Sequence, residues 1–104
     1  MNRADLFSQI DFCRNRIRHL AYTSINIENL PEQSWADRAR KRALHRENDR
    51  EMQTVLHELE IALLKKEQME GVISHQEYQQ RVSECMKELM TINEKYDIAR
   101  SPCA

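Results

Sequence analysis

Glycine and proline are scarce in this sequence, which has one glycine and two prolines among 104 residues. Because these residues form most tight turns, the chain has few places to reverse direction, and the composition favours a few long helices. A single glycine also argues against the glycine-rich loops with which nucleotide-binding enzymes hold phosphates. No apolar run approaches the roughly 20 residues that cross a bilayer, and no signal-peptide apolar block follows the first residues. We therefore expect a helical protein that neither spans nor binds a membrane.

Cysteines are few and widely spaced, at Cys13, Cys85 and Cys103. Their odd number and spacing argue against a secreted disulfide framework, so we expect a cytoplasmic protein with reduced thiols. Cys13 and Cys85 fall in line with apolar stripes, which is typical of small buried hydrophobic residues. The segment around His57 lacks the second histidine of a zinc-protease helix, and no Glu-x-x-His pair is present for a di-iron site. We expect no enzyme activity, no cofactor and no metal site.

The first helix is predicted from about residue 3 to about residue 28, ahead of the break at Asn29-Leu30-Pro31. Its apolar residues recur at spacings of four and three, which places them on one helical stripe. Ser24 is the only polar member of this stripe, whose other members are Leu6, Ile10, Cys13, Ile17, Leu20 and Ile27. A stripe this continuous needs a surface of equal length to pack against.

The second helix is predicted from about residue 35 to about residue 70, with Ser34 and Asp37 as its capping box. From Met52 onward it has a clear apolar face, but the half before Met52 is dense in charge. Continuing the apolar seam upstream puts Asn48 and His45 in line with it. We expect only the second half of this helix to offer an apolar surface.

A helical turn at Gly71 is the most specific local signal, because glycine tolerates the left-handed conformation that ends many helices. Ser74 and Glu77 then form a capping box for a third helix, predicted over about residues 75–98 and followed by a frayed tail, 99–104. Residues 64–89 resemble the short helical hairpins appended to many bacterial proteins, which implies the same turn and suggests a bacterial or phage source. Spacings of four and three continue through the third helix as a coiled-coil-like seam: Tyr78, Val82, Cys85, Leu89, Ile92 and Tyr96.

The fold class predicted from these elements is all-α, in a single helical domain of residues 1–104. Helices 2 and 3 form a long antiparallel hairpin, and helix 1 packs against it. A mean hydropathy of -0.79 indicates that any core is a narrow seam.

Basic residues cluster at the start of the second helix, where spacing places several on one face. Like charges so close repel each other, so we expect a compensating partner. A phosphate backbone is one candidate, and a protein surface or solvent are the others. The candidate face, with the neighbouring tryptophan as a partner anchor, consists of Trp35, Arg38, Arg42, His45 and Arg46.

Self-association is expected because the charged half of the second helix has too few apolar residues to hold the first helix. A homodimer would supply the missing surface, with Asn48 pairing with its symmetry mate to fix the register. The two halves of the chain are also oppositely charged, with ten Lys or Arg and seven Asp or Glu in residues 1–50, against six and ten in residues 51–104.

Taken together, the sequence predicts a non-enzymatic protein–protein interaction module that acts as an adaptor, chaperone, inhibitor or regulator of another protein. The alternative is a small helical nucleic-acid-binding regulator that uses the basic face of the second helix.

Overall fold

The computed structural model describes residues 2–99, and these form three α-helices and no strand. They are α1 (Arg3–Glu28), α2 (Trp35–Met69) and α3 (His75–Ala99), which confirms the predicted all-α fold. The bounds lie within one residue of those predicted. Ala99, predicted to begin the tail, is the last helical residue, and the rest of the tail, with Cys103, lies outside the described residues.

Each of the first two helices begins at a side chain that accepts a hydrogen bond from a free backbone N–H. At α1, the Asn2 side chain accepts from the Asp5 N–H at 2.8 Å. At α2, the Ser34 hydroxyl accepts from the Asp37 N–H at 3.0 Å, and the Asp37 carboxylate accepts from the Ser34 N–H at 3.3 Å. The predicted capping box is therefore reciprocal, and it fixes where α2 starts.

The reversal between α2 and α3 is a Schellman motif centred on Gly71, whose φ is 77°. The Gly71 N–H donates to the Gln68 carbonyl at 3.1 Å, and the Val72 N–H donates to the Glu67 carbonyl at 2.9 Å. These two bonds satisfy carbonyls that the end of a helix leaves free. The hairpin prediction depended on this glycine, and its conformation is the one expected.

One half of the predicted α3 capping box forms. The Ser74 hydroxyl accepts from the Glu77 N–H at 3.1 Å. The Glu77 carboxylate instead lies 3.4 Å from the Arg81 guanidinium, one turn further along α3. This local ion pair takes the carboxylate away from the return bond to the Ser74 backbone.

α2 lies between the other two helices. Among residues 2–99, no Cα atom of α1 comes within 8 Å of one in α3, whereas both helices pack closely on α2. Val55 faces α1 and His57 faces α3, and two residues span about 200° of a helix. α1 and α3 therefore pack on opposite sides of α2, and the three helices form one flat layer of 55 × 29 × 17 Å.

The apolar core lies in the α1–α2 seam. Near the Gly71 end, Leu6 and Ile10 pack on Ala62, and further along Cys13 and Leu20 pack on Val55. All six side chains are at most 6 % exposed. Burial of this kind contributes about 1.5–3 kcal/mol for each large apolar side chain, so this seam supplies most of the hydrophobic stabilisation.

The α2–α3 seam is thinner and more polar. Leu64 and Cys85 are buried in it, but the other apolar residues of the predicted α3 stripe are only half-buried. Ion pairs supplement the packing, with Arg50 3.1 Å from Asp97 and His57 3.4 Å from Glu88. α3 is thus held by fewer apolar contacts than α1.

Replacing Gly71 by alanine should lower the free energy of unfolding by about 1 kcal/mol, because a residue with a Cβ is strained at positive φ. No atom lies within 4 Å of the Cβ position, so the cost comes from the backbone alone. Urea denaturation followed by circular dichroism measures it. Gly71→Asn is the matched control and should cost less, since asparagine tolerates this conformation. Equal stability of the alanine variant and the native protein would contradict the turn.

Candidate interaction surfaces

The charged half of α2 holds the C-terminal half of α1, so the expectation that it lacks the residues to do so was wrong. The Lys41 ammonium donates to the Glu28 carbonyl at 2.7 Å and lies 3.1 Å from the Glu32 carboxylate. Lys41 is only 6 % exposed. Its cation thus satisfies a free carbonyl at the negative end of the α1 dipole. Polar contacts to the backbone replace the apolar surface that the sequence lacks there.

Asn48 lies in the α1–α2 seam and is 5 % exposed. Its side-chain amide donates to the Leu20 carbonyl at 3.1 Å. The position in line with the seam is as the sequence predicts, but the amide has a partner inside one chain. Pairing of Asn48 with a symmetry mate stays a prediction, and the structure gives the residue a register role between α1 and α2 instead.

The predicted basic face divides into two parts. Towards α1, His45 Nε2 lies 3.0 Å from the Glu28 carboxylate, and the Arg38 guanidinium donates to the Glu32 carbonyl at 3.4 Å. Trp35 opens α2 and is 73 % exposed. These contacts tie His45 and Arg38 to the end of α1 and the loop that follows it, and they leave Trp35 on the surface.

Towards α3, the remaining arginines line an open groove of about 420 Å³ between α2 and α3. Arg42 and Arg46 contribute from α2, and Lys95 from α3. All three are exposed, and within the described residues none of them has an ion-pair partner. His45, Asp49 and Tyr96 complete the lining, so the groove combines three cations, one carboxylate, an imidazole and a phenol ring.

Lys95 and Tyr96 were not predicted as part of this surface. They lie about fifty residues away in the sequence, and only the hairpin register brings them to Arg46. That register follows from contacts such as Arg50 with Asn93 at 3.4 Å. The signal was present in the sequence, because an antiparallel hairpin closed at Gly71 places the end of α3 beside the start of α2.

The outer side of α3 carries exposed methionines. Met86 is 46 % exposed and Met90 is 60 % exposed, and a spacing of four places them on one face beside the half-buried Leu89. The apolar surface of α3 is therefore wider than the strip that α2 covers. Flexible, polarisable methionines are common at surfaces that bind other proteins.

The two described thiols are poorly suited to nucleophilic chemistry. Cys13 and Cys85 are at most 4 % exposed. Burial raises the pKa of both thiols, and nearby carboxylates raise it further: Glu58 for Cys13, and Glu60 and Glu88 for Cys85. Since the thiolate is the reactive form, both groups stay protonated and inert at neutral pH. The Cys85 thiol lies 3.6 Å from the His57 carbonyl, to which it donates.

Metal-binding and membrane-spanning features were sought over residues 2–99. No group of three or more His, Cys, Asp or Glu side chains in that range is close enough to hold a metal ion. None of the three helices combines the length and the apolar character that crossing a bilayer requires.

Comparison of the chain with protein-family models, curated proteins and solved structures gives no match. Function is therefore argued from the residues and contacts of the chain itself.

Lys41→Met should lower the free energy of unfolding by about 1–3 kcal/mol, because it keeps the hydrocarbon stem but leaves the Glu28 carbonyl without its buried donor. Urea denaturation measures the change. Arg40→Met is the matched control, since Arg40 is exposed and surface changes usually stay within about 0.5 kcal/mol. If both variants unfold at the same urea concentration, Lys41 does not anchor α1.

Proposed function

We propose that this chain is a non-enzymatic protein–protein interaction module that acts as an adaptor, chaperone, inhibitor or regulator of another protein. The observation that carries the proposal is the single layer of helices, with α1 and α3 on opposite sides of α2. Domains are normally built from at least two packed layers, because each element must bury its apolar side. A radius of gyration of 17.3 Å, against about 13 Å for a compact chain of this length, fits a layer that a partner completes.

The outer side of α3 supports a helical partner. Met86 and Met90 form an apolar strip next to residues that α2 covers only in part. An amphipathic helix with apolar residues every three or four positions would bury this strip, as in other helix-in-groove complexes. We therefore propose that the partner contributes such a helix to the open edge of α3.

The state of the thiols supports a binding role in a reducing compartment. Cys13 and Cys85 are free and buried, so they act as core residues rather than as nucleophiles or disulfide partners. Free thiols are typical of cytoplasmic proteins, and we propose a cytoplasmic location for this one.

The test compares Met86→Glu/Met90→Glu with Gln76→Glu/Gln80→Glu, a control that places two carboxylates at exposed positions on a different side of α3. The partner is defined as a polypeptide that co-purifies with the native protein from its host in a fixed ratio and rebinds after separation. We expect the methionine variant to bind it at least tenfold more weakly, because a carboxylate must be desolvated in the complex. The control should bind as the native protein does.

Two outcomes contradict the proposal. If the native protein rebinds no polypeptide in a fixed ratio, it is not an interaction module of this kind. If the methionine and glutamine variants bind the partner equally well, the partner does not use the outer side of α3. Circular dichroism of each variant checks that helicity is retained.

The unpaired cations of the groove favour a second candidate, a nucleic-acid-binding regulator. Arg42, Arg46 and Lys95 offer three cations to phosphates along one groove, although Asp49 lies among them and opposes an anion. Under this proposal, Arg38→Ala/Arg42→Ala/Arg46→Ala abolishes retardation of nucleic acid at low salt and leaves helicity intact. Failure of the native protein to retard any DNA or RNA at low salt would end this candidate.

A further inference from the structure

One stripe of α2 lies between the surface that packs on α1 and the surface that packs on α3. At its centre Val55 is 6 % exposed against α1 and His57 is 9 % exposed against α3, while Leu56 between them is 40 % exposed. Residues that recur every three or four positions share this direction with Leu56. This open stripe comprises Arg38, Arg42, Asp49, Gln53, Leu56, Glu60 and Glu67. His45 and Leu63 have the same spacing but contact α1, since His45 lies beside Glu28 and Leu63 packs on the Leu6 cluster.

The other uncovered side of α2 is already occupied by contacts within the chain. There Glu51 pairs with Arg16 of α1, and the Lys65 ammonium lies 5.1 Å from the centre of the Tyr78 ring of α3. These contacts bridge α2 to both of its neighbours on that side. That side also exposes Leu44, at 37 %. The open stripe differs from it in the order of its charges along the helix.

The charges of the open stripe are ordered along α2. Its first part is basic, with Arg42 and the adjacent Arg46, and Lys95 of α3 lies beside them in the groove. Its last part is acidic, with Glu60 and Glu67. Within the described residues, the side chain of Glu67 has no ion-pair partner, and the Glu60 carboxylate contacts only the Cys85 thiol, at 4.0 Å. Leu56 lies between the two ends.

We propose that the open stripe is an isologous interface between two copies of this chain, which cross antiparallel with the two-fold axis near Leu56. An isologous interface joins the same patch on both copies, so the patch must complement itself. Antiparallel crossing brings the basic end of each stripe to the acidic end of the other, and the exposed leucines meet at the axis. A parallel arrangement would bring like ends together, and Asp49 is the one carboxylate within the basic end.

The dimensions of the layer suit this interface. A standard stable interface buries about 800 Å² on each partner, and the face that carries the stripe measures 55 × 29 Å. Two layers stacked through this face also restore the two-layer architecture that a helical domain normally has. The outer methionines of α3 do not belong to the stripe, so this inference is independent of the proposed function and fails or succeeds separately from it.

Charge reversal at the two ends tests the interface, using sedimentation equilibrium at micromolar concentration in reducing buffer. Arg42→Glu/Arg46→Glu leaves Arg38 as the only cation of the stripe, and Glu60→Lys/Glu67→Lys makes its acidic end basic. We expect the native protein to be a dimer of twice 12.4 kDa and each variant alone to dissociate at least tenfold more readily. An equimolar mixture of the two variants should dimerise again, because opposite ends then meet.

A matched pair of single variants distinguishes the effect of a residue's position on α2 from the effect of the added negative charge. Arg42→Glu should weaken dimerisation, whereas Arg40→Glu should not, because two residues place Arg40 on the far side of α2. Circular dichroism should show unchanged helicity for all variants, since the substituted residues are at the surface or partly exposed.

A symmetric disulfide locates the axis. In a Cys103→Ser background, where the two remaining cysteines are buried, Leu56→Cys should form a covalent dimer under mild oxidation. Glu58→Cys, on the other side of α2, should not. Because position 56 lies near the axis, the two introduced thiols are close to each other only if the copies cross there.

Three results would overturn the inference. One is a native mass of 12.4 kDa that is unchanged across a tenfold dilution. Another is a native dimer that persists in both charge-reversal variants, which would place the interface elsewhere. The third is a native monomer that retards nucleic acid and loses this activity in Arg42→Glu/Arg46→Glu, which would assign the basic end to phosphate instead.

Discussion

The packing of both outer helices on α2 is the constraint on which the rest of this structure depends. Within the described residues, no Cα atom of α1 lies within 8 Å of one of α3, so the packing of each outer helix depends on α2. α2 must therefore present two opposite packing surfaces, one to each neighbour, along 35 residues. A helix that packs against neighbours on two opposite sides exposes only the narrow surfaces between them. Buried and exposed residues therefore follow each other directly at Val55, Leu56 and His57.

The polar half of α2 meets this constraint without apolar side chains. Lys41 and Asn48 reach the backbone carbonyls of Glu28 and Leu20, which are fixed in space by the α1 helix itself. A buried polar group costs free energy unless it is paired, and these two are paired with a specific carbonyl each. Such bonds depend on position more strongly than apolar packing does. They therefore set the alignment of α1 along α2, while the Leu6–Ala62 end supplies the hydrophobic burial.

Local signals in the sequence were sufficient for the helices and their ends. Apolar spacing predicted each helix. The Ser34–Asp37 capping box predicted the start of α2, and Gly71 predicted its end. Both were readable because they involve neighbours within six residues. Which stripe meets which is a different problem. Spacing predicted one apolar face on the second half of α2, but it did not assign Val55 to α1 and His57 to α3.

The candidate surface shows the same limit. The basic face was visible in the sequence, since Arg42 and Arg46 are close in the chain, whereas Lys95 and Tyr96 reach it only through the hairpin register. Lys41 lies within the same basic segment of the sequence, yet it is buried. A long side chain can place its charge on a distant carbonyl while its stem packs, and periodicity in the sequence does not distinguish that from a solvated lysine.

Because the α2–α3 seam is weaker than the α1–α2 seam, we expect α3 to separate from α2 before α1 does. Because within residues 2–99 α3 packs on α2 and not on α1, it can detach without breaking an α1–α2 contact, and the buried clusters of the α1–α2 seam stay intact. Stability in such a chain is a sum over neighbouring pairs, as in repeat proteins, rather than one cooperative whole. The backbone amides of α3 therefore exchange with solvent through a smaller opening free energy than those of α1 and α2, and the Gly71 turn becomes the hinge of the least protected unit.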